Sequence, residues 1–108
     1  MSKDIEEKGT KALLAERRRT HGDFLHTAGC AQSLKRSLRL CSSHTRTLGY
    51  DSHWDSLPPA VREALEMIAV KQARIISGDW REQDHWRDIA GYAEAVLELL
   101  NDPRGRLG

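Results

Sequence analysis

The chain has 108 residues, of which 39% are hydrophobic and 31% charged, and its formal net charge is +1. This length suits one domain, and we expect a single helical domain over residues 1–108 with frayed ends at 1–3 and 102–108. No apolar run approaches the roughly 20 residues that span a bilayer, and the first residues do not resemble a secretory signal. The low net charge argues against a protein dedicated to duplex nucleic acid.

Charge is unevenly distributed along the chain. Residues 1–50 carry a net charge of +5, whereas residues 51–108 carry −4. The two cysteines, Cys30 and Cys41, lie on one predicted helix about 16 Å apart, too far for a disulfide. We therefore expect free thiols and a cytoplasmic location.

Apolar residues repeat every three or four positions throughout, which predicts an all-α fold. The first helix is expected from about Asp4 to Arg19, with Gly22 as its stop. Asp23 is suited to cap a long second helix of about 24 residues, with Phe24 and Ala28 beside its apolar seam. The seam is Thr27, Ala31, Leu34, Leu38, Cys41, Thr45 and Leu48.

The periodicity is lost over residues 49–56, which predicts a surface loop, and Pro58-Pro59 starts a third helix that ends at Ser77-Gly78. Its expected buried face is Val61, Leu65, Ile68, Gln72, Ile75 and Ile76. A fourth helix opens at Asp79 or Asp84. Its expected core stripe is Trp86, Ile89, Ala90, Ala93, Val96, Leu97 and Leu100. The whole reads as a compact four-helix bundle-like domain.

Four carboxylates lie on two polar helix faces. Glu63 and Glu66 share a face of the third helix with Arg74, and Asp84 and Asp88 share one of the fourth helix. If these faces meet, Lys71 joins them, and the cluster would suit Mg²⁺ and phosphate. A second interpretation is an internal network in which Asp84 and Asp88 neutralise Lys71 and Arg74 on a covered face. The third is a solvated face with ordinary intrahelical ion pairs, in which Asp84 or Asp88 complements a helix N-terminus. Periodicity alone favours the third interpretation.

Three further features bear on a site. His21 and Asp23 flank Gly22 at a junction between two helices. Gly22 is suited to end the first helix and Asp23 to cap the second, so only His21 has no structural explanation from the sequence. Arg17-Arg18-Arg19 forms a basic patch suited to phosphate or to solubility. Gly91, in mid-helix, indicates a covered face. His85 is expected to be exposed next to a buried Trp86.

Three segments, HGDF, EALEMIAVKQARIISGDW and DHWRDIAGYAEAV, together resemble a small helical family of uncharacterised bacteriophage and prophage proteins. The resemblance covers roughly residues 14 to 100. More distantly, the pattern is similar to MazG-like all-α nucleotide pyrophosphohydrolases, in which acidic residues on neighbouring helices bind Mg²⁺. Glu63-x-x-Glu66 matches the first acidic pair of that superfamily. The second pair could be Asp84 with Asp88 or Glu82 with Asp88, and both depart from the expected spacing.

The resemblance implies a nucleotide-handling protein in the host cytoplasm, with no catalytic residue assigned. One possibility is a Mg²⁺-dependent pyrophosphohydrolase whose metal ligands are Glu63, Glu66, Asp84 and Asp88. The second is a non-catalytic binder of a nucleotide or nucleotide-derived defence signal, and the third is an adaptor bundle without a ligand. The expected ligand-binding residues are His21, Asp23, Lys71, Arg74, Trp86 and Tyr92. The small core, the opposite charges of the two halves and the small-residue face of Gly91 and Ala95 on the fourth helix also predict a homo-oligomer, most simply a dimer.

Overall fold

The computed structural model of the chain describes residues 2–47 and 54–107, with side chains from residue 9 to 41 and from 54 to 107. Its elements are α1 (Ser2–His21), α2 (Phe24–Thr47), a 3-10 turn (Trp54–Ser56), α3 (Pro59–Ser77) and α4 (Gln83–Leu100). The described residues contain no strand, which confirms the all-α prediction. None of the described helices is long and apolar enough to cross a membrane.

Helix α3 lies at the centre, with α2 on one side and α4 on the other. Its most buried residues therefore form two contact faces rather than one. Ala64 and Lys71, seven positions apart, lie on one side, and Ala69 and Ala73 lie almost opposite. The small side chains of the three alanines let the helices approach closely.

The buried face predicted for α3 lies between these two contact faces. Val61, Leu65, Ile68 and Ile75 are accordingly only half-buried. Gln72 and Ile76 are exposed, Ile76 to 67%, so their predicted burial is wrong. The spacing of the apolar residues indicates one buried face, as for a helix with one neighbour, whereas α3 packs against both α2 and α4.

Helix α4 carries two adjacent apolar stripes with the same four-three spacing. The inner stripe, which faces α3, is His85, Ile89, Tyr92, Val96 and Leu99. The outer stripe is Trp86, Ala90, Ala93, Leu97 and Leu100, and all five residues are exposed. The predicted core stripe mixed the two, because they are only one residue, or about 100°, apart.

Helix α2 has the predicted length of 24 residues. Along its predicted seam, Thr27 and Ala31 are buried, Leu34 and Leu38 half-buried and Cys41 exposed, so packing weakens towards the end. The side chain of Thr45, Leu48 and residues 49–53 of the loop lie outside the described residues.

Helix α1 forms an arm. Every described side chain from Gly9 to Arg19 is exposed, and burial begins only at Thr20. The molecule is 62 Å long and its radius of gyration is 18.1 Å, compared with about 13 Å for a compact domain of this length. The four helices are present as predicted, but the chain is more elongated than the compact bundle expected.

The arm is joined to the body by contact between two backbone segments, Thr20–Gly22 and Ser77–Gly78. A Cβ at Gly22 would lie 2.6 Å from the Cβ and carbonyl oxygen of Ser77. A Cβ at Gly78 would lie 2.5 Å from the carbonyl oxygen of Thr20. Gly22 also has a φ of 82°, which side-chain-bearing residues rarely adopt. We call this contact the glycine junction.

The C-terminal segment beyond α4, predicted to fray, is described to residue 107 as turns. Asp102 organises it, because its carboxylate accepts hydrogen bonds from Arg104 and Arg106. These arginines lower the pKa of Asp102.

Substitutions at the glycine junction provide the first test. Gly22→Ala should lower the free energy of unfolding by about 3 kcal/mol, because it combines an unfavourable φ with steric overlap. Gly78→Ala should lower it by about 2 kcal/mol through overlap alone. Gly91→Ala is the control: Gly91 lies in mid-helix with open space around it, so alanine should raise stability by about 0.5 to 1 kcal/mol. Urea denaturation of the three variants measures this, and equal effects at all three would contradict it.

Candidate ligand-binding cleft

A cleft of about 470 Å³ opens where α1 meets α2. Its lining comes from the last turns of α1, the glycine junction, the first turn of α2 and one residue of α3. These residues are Leu14, Arg17, Arg18, His21, Gly22, Asp23, Phe24, Thr27 and Arg74. The cleft therefore brings together three of the six predicted ligand-binding residues: His21, Asp23 and Arg74.

Three arginines give the cleft a positive charge. In the described part of the chain, none of Arg17, Arg18 and Arg74 forms an ion pair, and Asp23 is the lone carboxylate in the lining. Arg19, next along α1, instead pairs with Glu16 at 2.6 Å. Guanidinium groups are planar, permanently charged donors that match the oxygens of a phosphate. The lining thus has an excess of unneutralised positive charge.

Apolar side chains border the same cleft. Phe24, in the first turn of α2, is 84% exposed, and Leu14 on α1 is 47% exposed. Phe24 is thus next to the seam of α2 in sequence, but its ring is exposed and not buried with Thr27. An exposed aromatic ring next to unpaired arginines is suited to stacking on a planar group.

His21 connects the cleft to the interior. The Thr20 hydroxyl donates to the Glu16 carbonyl, so its oxygen accepts from Nδ1 of His21 at 2.5 Å. Burial lowers the pKa of His21, and repulsion from His85 and from the positive charges of Arg74, Lys71 and Arg17 lowers it further. His21 is therefore neutral at neutral pH, and its protonation would add one more positive charge to the cleft.

His85, predicted to be exposed, is the most buried large side chain described, with 1% of its surface exposed. Its Nε2–H donates to the Thr20 carbonyl at 2.9 Å, and its ring meets that of His21 edge-on at 4.6 Å. Trp86, predicted to be buried, is 52% exposed. Both predictions are wrong, because the stripe of α4 that faces α3 begins at His85 and not at Trp86.

Lys71 is not among the residues that line the cleft, and its charge is neutralised within the fold. Its ammonium is 2.9 Å from the carboxylate of Asp88 on α4, and only 10% of its side chain is exposed. Lys71 also lowers the pKa of Asp88, first through this hydrogen bond and then through its charge. The predicted network of Lys71 and Arg74 with Asp84 and Asp88 thus forms for Lys71 but not for Arg74.

The four predicted metal ligands are not brought together. Asp88 pairs with Lys71, Asp84 with Arg87 on its own helix, and Glu66 with Arg39 of α2 at 3.2 Å. Glu63 and Glu66 line a separate cleft of about 390 Å³ near the start of α3. Among the described residues, no group of three or more His, Cys, Asp or Glu side chains could hold a metal ion. The described carboxylates therefore do not fit a shared Mg²⁺ site, and magnesium dependence stays a prediction.

The two predicted aromatic ligand residues lie outside the cleft lining. Trp86 donates its indole N–H to the Trp80 carbonyl at 2.8 Å, and Tyr92 is half-buried on the inner stripe of α4. The aromatic residue that does line the cleft is Phe24. The basic patch at residues 17–19 was visible in the sequence, but which of its arginines are unpaired depends on the fold.

Neither protein-family models, curated proteins nor solved structures give a significant match to this chain. The functional assignment therefore rests on the geometry of the chain itself.

The Lys71–Asp88 pair predicts unequal effects of two aspartate substitutions. Asp88→Ala should lower the melting temperature clearly, because it leaves a buried ammonium without its partner. Asp84→Ala should change it little, since Asp84 is exposed and its ion-pair partner among the described residues is the exposed Arg87.

The pH dependence of this pair gives a second readout. The pKa of Asp88 is lowered in the folded state, so its stabilising effect is present above the ordinary aspartate pKa of about 4 and is lost as pH falls below it. The difference in melting temperature between parent and Asp88→Ala should shrink between about pH 4 and pH 2. A difference that persists unchanged at low pH would show that the ion pair is not its cause.

His21 gives a prediction about the cleft. Its pKa in the free protein should lie below 6.5 and should rise when an anion occupies the cleft, because negative charge stabilises the imidazolium. Arg74→Ala should also raise it, since one neighbouring positive charge is removed. NMR titration of the imidazole resonances with and without ATP measures both changes. A His21 pKa that ATP leaves unmoved would place the anion elsewhere.

Proposed function

We propose that the protein is a non-catalytic binder of a nucleotide or nucleotide-derived molecule, held in the cleft between α1 and α2. The observation that carries this proposal is the set of three arginines without ion-pair partners among the described residues, beside the exposed ring of Phe24. Arg17, Arg18 and Arg74 would bind phosphate oxygens, and Phe24 would stack on the base.

The charge of the lining favours a phosphate ligand. Three arginines and one aspartate leave an excess of two positive charges while His21 is neutral. A single carboxylate would leave part of this charge unmatched, whereas a phosphate monoester or a diphosphate supplies two or more negative charges. Protonation of His21 would then strengthen binding as pH falls.

The size and shape of the cleft also suit a nucleotide. Its volume of about 470 Å³ falls within the roughly 300 to 1,000 Å³ typical of small-molecule sites. Asp23 lies in the same lining as the arginines, and its carboxylate is an acceptor suited to a sugar hydroxyl or a base N–H. A ligand with phosphate at one end and hydrogen-bond donors at the other would use both kinds of group.

Binding without catalysis is preferred to pyrophosphohydrolase activity because three of the four candidate metal ligands, Glu66, Asp84 and Asp88, already pair with basic side chains. Asp88 is held by Lys71 and Glu66 by Arg39. A hydrolase of this kind needs several acidic residues around one metal ion beside the phosphates. In this chain Glu63 and Glu66 line a cleft different from the one that holds the unpaired arginines.

Several expectations from the sequence remain proposals alongside this one. They are membership of the phage and prophage family, the distant MazG-like relationship, a cytoplasmic location and a homo-oligomeric state. The exposed apolar outer stripe of α4 supports the last of these.

The proposed binding role is tested by removing Arg74. Isothermal titration with ATP, a cyclic dinucleotide and inorganic phosphate, each with and without Mg²⁺, should identify at least one binder of the parent protein. Arg74→Ala should weaken that binding about 10- to 100-fold, the effect of losing one charge-assisted hydrogen bond of about 1.5 to 3 kcal/mol. Stability without ligand should be unchanged or slightly higher, because Arg74 has no carboxylate to leave unpaired.

Arg36→Ala is the matched control, since Arg36 is an exposed arginine on α2 outside the cleft lining. It should bind as the parent does. Chromatography of the nucleotide after incubation shows whether it has been hydrolysed. Loss of stability in Arg74→Ala with unchanged binding would refute the proposal, and hydrolysis by the parent would restore the enzymatic alternative.

A further inference from the structure

The outer stripe of α4 is an apolar surface that no other described part of the chain covers. Trp86, Leu97 and Leu100 are 52%, 50% and 65% exposed, and Ala90 and Ala93 between them are also exposed. The five residues extend over about 21 Å at four-three spacing, the pattern of a helix that packs along another helix. A surface of this kind is typical of an interface.

Helix α1 lacks cover in the same way. It is 20 residues long, yet its described side chains from Gly9 to Arg19 are all exposed. In proteins most of the stability of a helix comes from tertiary packing of one face, and α1 has little such packing within its own chain. Helices α1 and α4, of 20 and 18 residues, thus have similar lengths and both present uncovered faces.

The charges of the two helices are complementary. The exposed charged residues of the described part of α1 are mostly basic: Lys11, Arg17, Arg18 and Arg19, with Glu16. On α4, Asp88 and Asp84 already pair with Lys71 and Arg87, and the charged side chains left for a partner are the acidic Glu94 and Glu98. Pairing α4 with another α4 would bring acidic side chains together, whereas pairing it with α1 matches opposite charges.

We propose that a second copy of this chain covers both surfaces, with α1 of each copy lying along the outer stripe of α4 in the other. A two-fold axis would make the exchange reciprocal, so that one contact is formed twice. Leu13, which is 55% exposed on α1, supplies apolar area to it. Within one chain the corresponding contact is blocked by geometry: α1 meets the start of α4 at Thr20 and His85, and the arm extends beyond the body.

The first measurement is the mass in solution. Light scattering at 50 µM, without nucleotide, should give a dimer for the parent. Leu97→Glu and Leu13→Glu, one on each proposed partner surface, should both give monomers. Gly91→Glu is the matched control, because it adds the same charge to an exposed position on the other side of α4 and should remain dimeric. Leu100→Glu serves as a second stripe variant should Leu97→Glu fail to fold.

The second measurement connects the two helices across the interface. In the parent, the amides of residues 9–19 should exchange hydrogen slowly, and in Leu97→Glu they should exchange at least 10-fold faster although Leu97 is on α4. Raising the salt concentration from 50 mM to 500 mM should weaken the dimer, since opposite charges contribute to it.

Three results would overturn the proposal. The first is a parent that is monomeric at 50 µM. The second is a dimer that dissociates with Leu97→Glu but not with Leu13→Glu, which would indicate that two α4 helices pair. The third is unchanged exchange at residues 9–19 in a monomeric stripe variant. None of these outcomes depends on whether the cleft binds a nucleotide.

Discussion

The carbonyl group of Thr20 is the point on which the arrangement of the helices depends. In the last turn of α1 this oxygen has no partner within the helix. It accepts from the Asp79 amide of the α3–α4 connection at 3.3 Å and from His85 in the first turn of α4 at 2.9 Å. Both bonds form only because Gly22 and Gly78 let the two backbones approach. The glycine junction thus fixes the direction of α1 and the positions at which α2 and α4 begin.

The cleft is a consequence of that arrangement. Because α1 and α2 diverge from the glycine junction, their adjoining turns leave a space that the arginines of α1 and Arg74 of α3 border together. The same junction places His21 against His85, where burial and neighbouring positive charges keep the imidazole neutral. The electrostatic character of the cleft therefore follows from packing at the junction as much as from the number of basic residues.

The sequence was sufficient to predict the helices but not how they face one another. The four helices and the length of α2 follow from three-four periodicity, proline and glycine punctuation, and these are local signals. The rotation of α4 could not be derived, because Trp86 and His85 head two stripes of identical spacing and only the neighbour α3 distinguishes them. Likewise, Lys71 and Arg74 cannot be distinguished from the sequence. Lys71 has a carboxylate partner only because α4 places Asp88 opposite it.

The alanine contacts of α3 determine how the protein tolerates change. The buried hydrophobic residues described are Ala31, Ala64, Ala69 and Ala73, so there is little side-chain volume in these contacts to remove. Most protein interiors lose stability when a large side chain is shortened, but here larger side chains are the more harmful change. A larger side chain at one of the alanine positions forces the helices apart, whereas shortening a half-buried leucine nearby opens no sealed cavity. Sequence variation in this fold should therefore be limited by maximum side-chain size along α3, with conservation of smallness in place of conservation of hydrophobicity.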